Sequence, residues 1–135
     1  MTGRAPTIVV TAAVVCRGEA YLVTRRPRGV HLEGCWEFPG GKCEPGETHA
    51  ACLTRELHEE LGVKVRIGAE IFEVSHDYPD RTVELHFFEC ELEGDPRPLL
   101  GQDMRWVPRG GLHALEFPPA DAALLRILQG RAGSA

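Results

Sequence analysis

The pattern of apolar and polar positions predicts strands along most of the chain and two helices. Residues 7–16 and 20–25 are apolar and rich in β-branched side chains, and Arg17-Gly18-Glu19 between them has turn composition, so we expect a β-hairpin. Residues 63–76 and 81–92 alternate as strands do, and residues 77–80 join them. Shorter elements are expected in this order: a loop at 27–34, a strand at 36–38, a turn at 39–41 and a strand at 104–107.

A central helix is predicted between the turn at residues 45–48 and Gly62. Apolar side chains recur there at three- and four-residue steps and form one stripe, and Gly62 has the character of a C-terminal cap. The stripe consists of Ala50, Leu53, Leu57 and Leu61.

A second helix is expected to begin at Pro118-Pro119 and to end at Gly130. Its buried side is predicted to carry Leu124, Leu125 and Leu128. Long strands with one central and one terminal helix predict an α/β (α+β) sandwich around a mixed sheet. We expect one domain over residues 1–135, with loose tails at 1–6 and 131–135.

Composition narrows the possible ligands and the compartment. Fifteen basic against 20 acidic residues give a net charge of −5, which disfavours a nucleic-acid polymer as ligand. No apolar run reaches the roughly 18 residues of a membrane span, so no membrane partner is expected. Five cysteines without a CxxC pair predict free thiols and a cytoplasmic location. A zinc site is disfavoured, because no usual ligand spacing joins its nearest candidates, which are His31, Cys35, Cys43 and His49.

Three glutamates of the central helix, Glu56, Glu59 and Glu60, project to one side, because they stand at i, i+3 and i+4. Like charges at this spacing repel, and the helix dipole disfavours anions near the C-terminus. A solvated acidic face is one interpretation. Divalent cations are the other, since Mg²⁺ is held by carboxylate oxygens and completes its shell with water and phosphates. Gly40 and Gly41, shortly before the helix, allow main-chain atoms to approach a ligand closely.

Seven fixed identities and two aliphatic positions link these glycines to the helix. They are Gly41, Glu47, Arg55-Glu56-Leu57, Glu59-Glu60 and Gly62-Val63, with gaps of five, seven, one and one residues. The pattern resembles the box of the Nudix hydrolase family without a departure. The resemblance implies a Nudix-like α/β/α sandwich, with the mixed sheet flanked by the box helix and a C-terminal helix. It also implies cleavage of a nucleoside diphosphate linked to another group, with Mg²⁺ or Mn²⁺ and an attacking water.

Position by position, the same resemblance implies roles for the box residues. The implied metal ligands are the Gly40 carbonyl, Glu56, Glu59 and Glu60. The implied catalytic residues are Glu47, Arg55, Glu56 and Glu59. In this scheme Arg55 orients Glu56 or Glu47 through paired hydrogen bonds. The identity of the general base stays open, with Glu56 as the candidate.

Flanking residues resemble the MutT branch of the family, which removes oxidised nucleoside triphosphates. The supporting segments are 24–26, 37–42, 78–81 and 117–121. The branch implies 8-oxo-dGTP as substrate, monophosphate and pyrophosphate as products, and a protein that is a monomer or a homodimer. Its implied substrate contacts are Arg26 and His31 at the sugar and phosphates, Phe38 and Tyr78 beside the base, Asp121 at the base edge, and Glu37, Pro39 and Gly40. For Phe38 and Tyr78, ordinary core packing is the alternative.

Two positions depart from MutT. Asp121 stands where MutT has Asn, and a carboxylate donates a hydrogen bond only when it is protonated. The base therefore stays open between 8-oxoguanine and cytosine, and (d)CTP or 5-methyl-dCTP hydrolysis is the alternative activity. Leu100 stands where MutT has a metal-binding glutamate, with Asp103 as a possible substitute.

Other classes of function compete less well. Cleavage of ADP-ribose or of dinucleoside polyphosphates is disfavoured by the resemblance to a mononucleotide pocket around Tyr78 and residues 117–121. A nucleotide-binding module with weak or no catalysis is favoured by Leu100 and opposed by the intact box. An acidic helix that recruits a basic protein would explain the carboxylates but not the glycines.

Overall fold

The structure is a computed structural model that describes residues 6–30 and 32–131. Its strands are β1 (Thr7–Arg17), β2 (Ala20–Arg25), β3 (Trp36–Glu37), β4 (Gly40–Lys42), β5 (Lys64–Tyr78), β6 (Arg81–Glu93) and β7 (Met104–Pro108). Its helices are α1 (His49–Leu61) and α2 (Ala122–Gly130), with 3₁₀ turns at Arg109–Ala114 and Pro119–Asp121. No helix within the described residues is long and apolar enough to cross a membrane.

The strands form a mixed sheet in the order β3-β2-β1-β6-β5, with β4 paired to β1 and β7 paired to β2. β1 runs parallel to β6, with Thr7 opposite Thr82 and Val15 opposite Cys90, while the remaining pairs are antiparallel. Side chains of β1 alternate between two cores: Ala13 and Val15 face α1, and the intervening positions face α2. The predicted sandwich around a mixed sheet is confirmed.

The helix α1 begins and ends where its sequence predicts. The hydroxyl of Thr48 accepts a hydrogen bond from the Ala51 N–H at 3.0 Å, which satisfies one of the free N–H groups of the first turn. Gly62 has a φ of +67° and donates its N–H to the His58 carbonyl at 3.0 Å. The buried stripe is Cys52, Leu53, Leu57 and Leu61, so the inclusion of Ala50 was wrong: its side chain is exposed.

Other boundaries differ from the predicted ones because pairing partners distant in sequence decide them. The predicted turn at 39–41 is largely strand, since Gly40 and Gly41 pair with β1. Tyr78 is the last residue of β5 and pairs with Arg81, which leaves a two-residue turn. The segment after Pro118 opens with a 3₁₀ turn, and α2 begins at Ala122.

Pro6 and Arg131, the innermost residues of the two predicted tails, both contact the sheet. The Pro6 carbonyl accepts a hydrogen bond from Thr82 N–H at 2.9 Å. The Arg131 guanidinium lies 3.3 Å from a Glu89 carboxylate oxygen. Residues 1–5 and 132–135 lie outside the described part of the chain.

Candidate active site

The guanidinium of Arg55 connects the first residues of the box to its helix. Its Nε and Nη2 donate to the two carboxylate oxygens of Glu47 at 2.7 and 2.9 Å, and Nη2 also donates to the Lys42 carbonyl at 3.0 Å. A third Glu47 hydrogen bond comes from the Glu44 N–H at 2.8 Å. The Arg55 hydrogen bonds, followed by this backbone hydrogen bond, lower the pKa of Glu47 to about 2. The segment that carries Glu47, between β4 and α1, is therefore fixed to α1 by an ionised bidentate pair.

The three helix carboxylates differ in their surroundings. Glu59 is exposed and lies 3.4 Å from Arg55 Nη1, at i,i+4. Glu56 is mostly buried, with its carboxylate also 3.4 Å from Arg55 Nη1, and burial raises its pKa. Burial, followed by the charges of Glu56 and Glu37, raises the pKa of Glu60 to about 8. Glu56 and Glu60 thus form a partly buried carboxyl pair, and within residues 6–30 and 32–131 Arg55 is the only cation that makes an ion pair with either of them.

The two glycines of β4 hold the main chain against this site. A side chain at Gly40 would overlap the Thr11 carbonyl of β1, and one at Gly41 would overlap the Glu56 carboxylate. The Gly40 backbone lies near the Glu60 carboxylate and partly offsets the rise in its pKa. Glycine is therefore required at Gly40, where the obstruction is backbone, whereas a Cβ at Gly41 would displace the Glu56 carboxylate from its observed position.

This donor set fits a divalent cation. Carboxylate oxygens, such as those of this partly buried pair, are the ligands that Mg²⁺ and Mn²⁺ prefer. A bound cation would offset the burial and the neighbouring carboxylate charges that raise the pKa of Glu60. The residues placed to hold it are Glu56 and Glu60, with the Gly40 main chain adjacent and Glu59 at the exposed edge.

A cavity of about 290 Å³ adjoins the carboxylates on the face of the sheet opposite α1. Glu60 and Asp121 both belong to its lining. The apolar lining comes mainly from facing positions of the parallel pair β1 and β6: Ile8, Val10, Ala12, Val83, Leu85 and Phe87. The cavity has the mixture of apolar walls and few polar groups typical of a small-molecule site.

The polar groups of the cavity influence one another. Arg26 Nη1 lies 2.9 Å from Glu37 Oε1, and this contact only partly offsets the burial that raises the pKa of Glu37. Asp121 is 4% exposed, and burial together with the Glu37 charge raises its pKa to about 7. At neutral pH, Asp121 therefore exchanges between a form that donates a hydrogen bond and one that only accepts.

Most predicted substrate-binding residues meet at this cavity. Its lining includes Arg26, Glu37, Phe38, Gly40, Tyr78 and Asp121. Phe38 is 3% exposed and its ring stacks on Phe117 with centroids 5.5 Å apart, so it packs in the core as well as lining the cavity. Pro39 is buried, and it is absent from the cavity lining formed by residues 6–30 and 32–131. Its carbonyl accepts a hydrogen bond from the Ala13 N–H at 2.8 Å. His31 lies outside the described residues.

The segment that carries Leu100 covers the C-terminal end of α1. Leu99 N–H donates to the Glu60 carbonyl at 3.0 Å, and the Gln102 amide donates to the same carbonyl at 3.2 Å. Leu100 is 68% exposed and shares a groove with Glu60. Asp103, the predicted substitute ligand, lies 3.6 Å from the Arg25 guanidinium. The roles of Gln102 and of the apolar lining were missed, because neither carries a motif and both depend on β1–β6 pairing and loop packing.

Comparisons with known proteins agree with this geometry. The NUDIX domain family matches residues 10–126. The 8-oxo-dGTP diphosphatase of Escherichia coli K12 is 37% identical over 108 residues, covering 79% of this chain and 84% of the relative. The enzyme of the same name from Haemophilus influenzae is 39% identical, covering 90% and 91% of the two chains. The CTP pyrophosphohydrolase of E. coli K12 is 34% identical, covering 87% and 88%.

Solved structures show the same fold. The solution structure of the E. coli ORF135 protein aligns with a TM-score of 0.81 at 29% identity and covers 96% of each chain. A MutT structure from a study of the Aliivibrio salmonicida and Vibrio cholerae proteins aligns with a TM-score of 0.77 at 26% identity, covering 93% of this chain and 98% of that one.

Proposed function

Because the chain belongs to the NUDIX domain family and is a Nudix hydrolase, we propose that it hydrolyses 8-oxo-dGTP to the monophosphate and pyrophosphate. Hydrolases of this family act on small nucleotides and depend on a divalent metal; Mg²⁺ is the ion we assign, with Mn²⁺ as a substitute. The observation that carries the proposal is one cavity whose lining includes both Glu60 of α1 and the buried Asp121. We infer that it holds the phosphates at the α1 carboxylates and the base at Asp121.

The carboxylates of α1 are proposed to bind the metal ion and to activate the attacking water. A divalent cation held there would neutralise phosphate charge and lower the pKa of a coordinated water. Glu56 and Glu60 are proposed to hold the cation together with Glu59 and the Gly40 carbonyl. Glu56 is the candidate acceptor for the water proton. Arg55 and Glu47 act as positioning residues, because their bidentate pair fixes the loop that bears Gly41 against Glu56.

The lining residues outside α1 are proposed to select the nucleotide. Arg26, held by Glu37, faces the sugar and phosphates, as His31 is proposed to do from outside the described residues. Tyr78 and Phe38 lie beside the base, with Gly40 and Pro39 shaping the adjacent wall. Asp121 reads the base edge, and its proton allows it to act as a donor toward 8-oxoguanine.

Hydrolysis of (d)CTP or 5-methyl-dCTP is the second candidate. An ionised Asp121 accepts a hydrogen bond from an exocyclic amino group, which cytosine offers. The resemblance to a CTP pyrophosphohydrolase supports the same alternative. Location in the cytoplasm, a monomeric or homodimeric state and a single domain stay predictions.

The test is a panel of 8-oxo-dGTP, dGTP, dCTP, 5-methyl-dCTP, CTP and ADP-ribose with Mg²⁺, in which monophosphate and pyrophosphate release are measured. Glu56→Gln is the inactive control, since it keeps the shape of the site and removes the charge. Preference for 8-oxo-dGTP that is lost in Glu56→Gln supports the proposal. A preference for cytidine nucleotides would retain the reaction and overturn the substrate. Binding without turnover would favour the weakly catalytic module, and Leu100→Glu would then be expected to increase activity.

A further inference from the structure

Two histidines and three glutamates cluster on the α1 face of the sheet, away from the nucleotide cavity. His86 of β6 is 4% exposed, and its ring lies against that of His49 in the first turn of α1, with centroids 4.1 Å apart. Glu70 and Glu73 come from β5, and Glu84 comes from β6. His49 stands seven residues before Glu56, which is about 10 Å along the helix axis. The cluster is therefore separate from the carboxylate site.

The buried His86 has a carboxylate at each ring nitrogen. Nδ1 lies 2.8 Å from Glu70 Oε2 and 3.9 Å from Glu73 Oε2, while Nε2 lies 2.8 Å from Glu84 Oε1. A neutral imidazole has one N–H and so satisfies only one of the two short contacts. The other ring nitrogen needs a positive partner, which is either a second proton or a metal ion.

An irregularity in β5 brings the glutamates to this face. The register against β6 shifts between Ile67 and Glu70 and again between Glu70 and Phe72. Glu70 therefore pairs with Phe88 and Glu73 with His86, so two residues three positions apart share one face, which a regular strand would not allow. Bulges of this kind re-aim side chains next to functional sites.

The cluster carries excess negative charge. Every ion pair that Glu70, Glu73 and Glu84 form within residues 6–30 and 32–131 goes to His86, and none goes to arginine or lysine. One imidazolium leaves three carboxylates undercompensated, whereas a dication in place of a proton adds positive charge where the carboxylates converge.

We propose that His49, Glu70 and His86 bind a first-row transition-metal dication, with Zn²⁺ as the ion of choice. Their donor atoms lie within 4.8 Å of one another, so small side-chain rotations bring them to one ion. Two imidazole nitrogens and a carboxylate oxygen are a zinc-type ligand set, while Mg²⁺ and Ca²⁺ prefer oxygen throughout.

The surroundings supply what such a site requires beyond its ligands. A metal-bound histidine characteristically donates its other N–H to a carboxylate, which fixes the ring. With a metal at Nδ1, His86 would donate from Nε2 to Glu84, which already lies at hydrogen-bond distance. Glu73 is close enough to neutralise the ion. The bound ion would tie the first turn of α1 to β5 and β6.

The test is calorimetric titration of the full chain with Zn²⁺ under excess Mg²⁺, in a Cys16→Ser background that removes the exposed thiol. We expect one Zn²⁺ per chain, with binding retained in Glu56→Gln, which lacks a carboxylate of the other site. Glu84→Gln should weaken binding by roughly 10–100-fold, the usual effect of losing an outer partner, and His49→Ala should weaken it further. His58→Ala, an exposed histidine of the same helix, is the matched control and should bind as the parent does.

Nitrogen NMR of the imidazole side chains provides a second readout that does not depend on activity. Zn²⁺ is expected to shift the ring nitrogens of His49 and His86 and to leave those of His58 unchanged. Binding that is lost in Glu56→Gln, or that is equal in His49→Ala and His58→Ala, would overturn the proposal. Unchanged His49 and His86 signals at saturating Zn²⁺ would likewise show that a proton alone occupies this centre.

Discussion

Arg55 donates hydrogen bonds to both carboxylate oxygens of Glu47, eight residues earlier in the chain, at 2.7 and 2.9 Å. The same guanidinium also donates to the Lys42 carbonyl at the end of β4. One side chain thus connects the end of β4 to the carboxylate face of α1. This arrangement depends on a planar fork with several donors, which lysine lacks.

Arg55→Lys is expected to lower kcat by about 100-fold, because a displacement near 1 Å in a catalytic site costs roughly that factor. The KM for nucleotide should change less, since the cavity residues are untouched. Steady-state kinetics at saturating Mg²⁺ would measure both constants. Arg66→Lys is the matched control: Arg66 pairs with Glu91 at 2.9 Å on the exposed surface, so its replacement should leave both constants unchanged.

Glu47 is expected to make the stability of the protein sensitive to acid. The pKa of Glu47 is lowered from 4.5 to about 2 in the folded state, so its contribution to folding is complete above pH 4.5. That contribution is lost as the pH falls from about 4.5 to about 2, because the unfolded state takes up the proton first. Thermal unfolding across this interval should show a higher melting temperature for wild type than for Glu47→Gln, and the difference should disappear at low pH. An equal difference in melting temperature at every pH would contradict the role of the Arg55 pair.

Glu60→Gln is expected to stabilise the metal-free protein at alkaline pH. Because the folded-state pKa of Glu60 is raised from 4.5 to about 8, the folded state holds the proton longer than the unfolded state. Wild-type stability should therefore fall as the pH rises through this interval, and the variant should lack that fall. Melting temperatures in the presence of a chelator would measure the difference.

Adding Mg²⁺ should reverse the difference in melting temperature, so that wild type becomes more stable than Glu60→Gln. At a hundred times its Kd, a ligand stabilises the folded state by about 2.7 kcal/mol, and Glu60→Gln should gain less because it lacks one ligand oxygen charge. Glu59→Gln is the comparison variant. Because Glu59 is exposed, this substitution should change the melting temperature in the presence of chelator only a little. A variant that gains as much from Mg²⁺ as wild type would argue against Glu60 as a ligand.

Asp121 is expected to make base preference depend on pH. With a pKa of about 7, it carries a proton below neutrality and then donates a hydrogen bond to 8-oxoguanine. The ratio of kcat/KM for 8-oxo-dGTP to that for dCTP should fall as the pH rises through 7, by up to about tenfold per pH unit. Asp121→Asn always offers both a donor and an acceptor, so its ratio should stay level. A parallel decline in wild type and variant would exclude base reading by Asp121.

The sequence alone determined the elements whose cause is local. The leucine stripe and the terminal caps define α1, because side chains three and four positions apart share a face whatever packs against it. The positions of Glu47, Arg55, Glu56, Glu59 and Glu60 followed from the box spacing, and the structure places them together around one loop and one helix face. Helical periodicity fixes such relationships before any tertiary contact forms.

Tertiary structure decided what depends on partners distant in sequence. The parallel pairing of β1 with β6 creates the cavity wall, and the pairing of β4 with β1 converts a predicted turn into strand. The elevated pKa of Asp121 comes from burial and from Glu37, 84 positions earlier. Likewise, His49 and His86 meet only because a helix and a strand pack face to face and β5 is bulged. No local pattern records these juxtapositions, since burial and electrostatic coupling arise only when the sheet assembles.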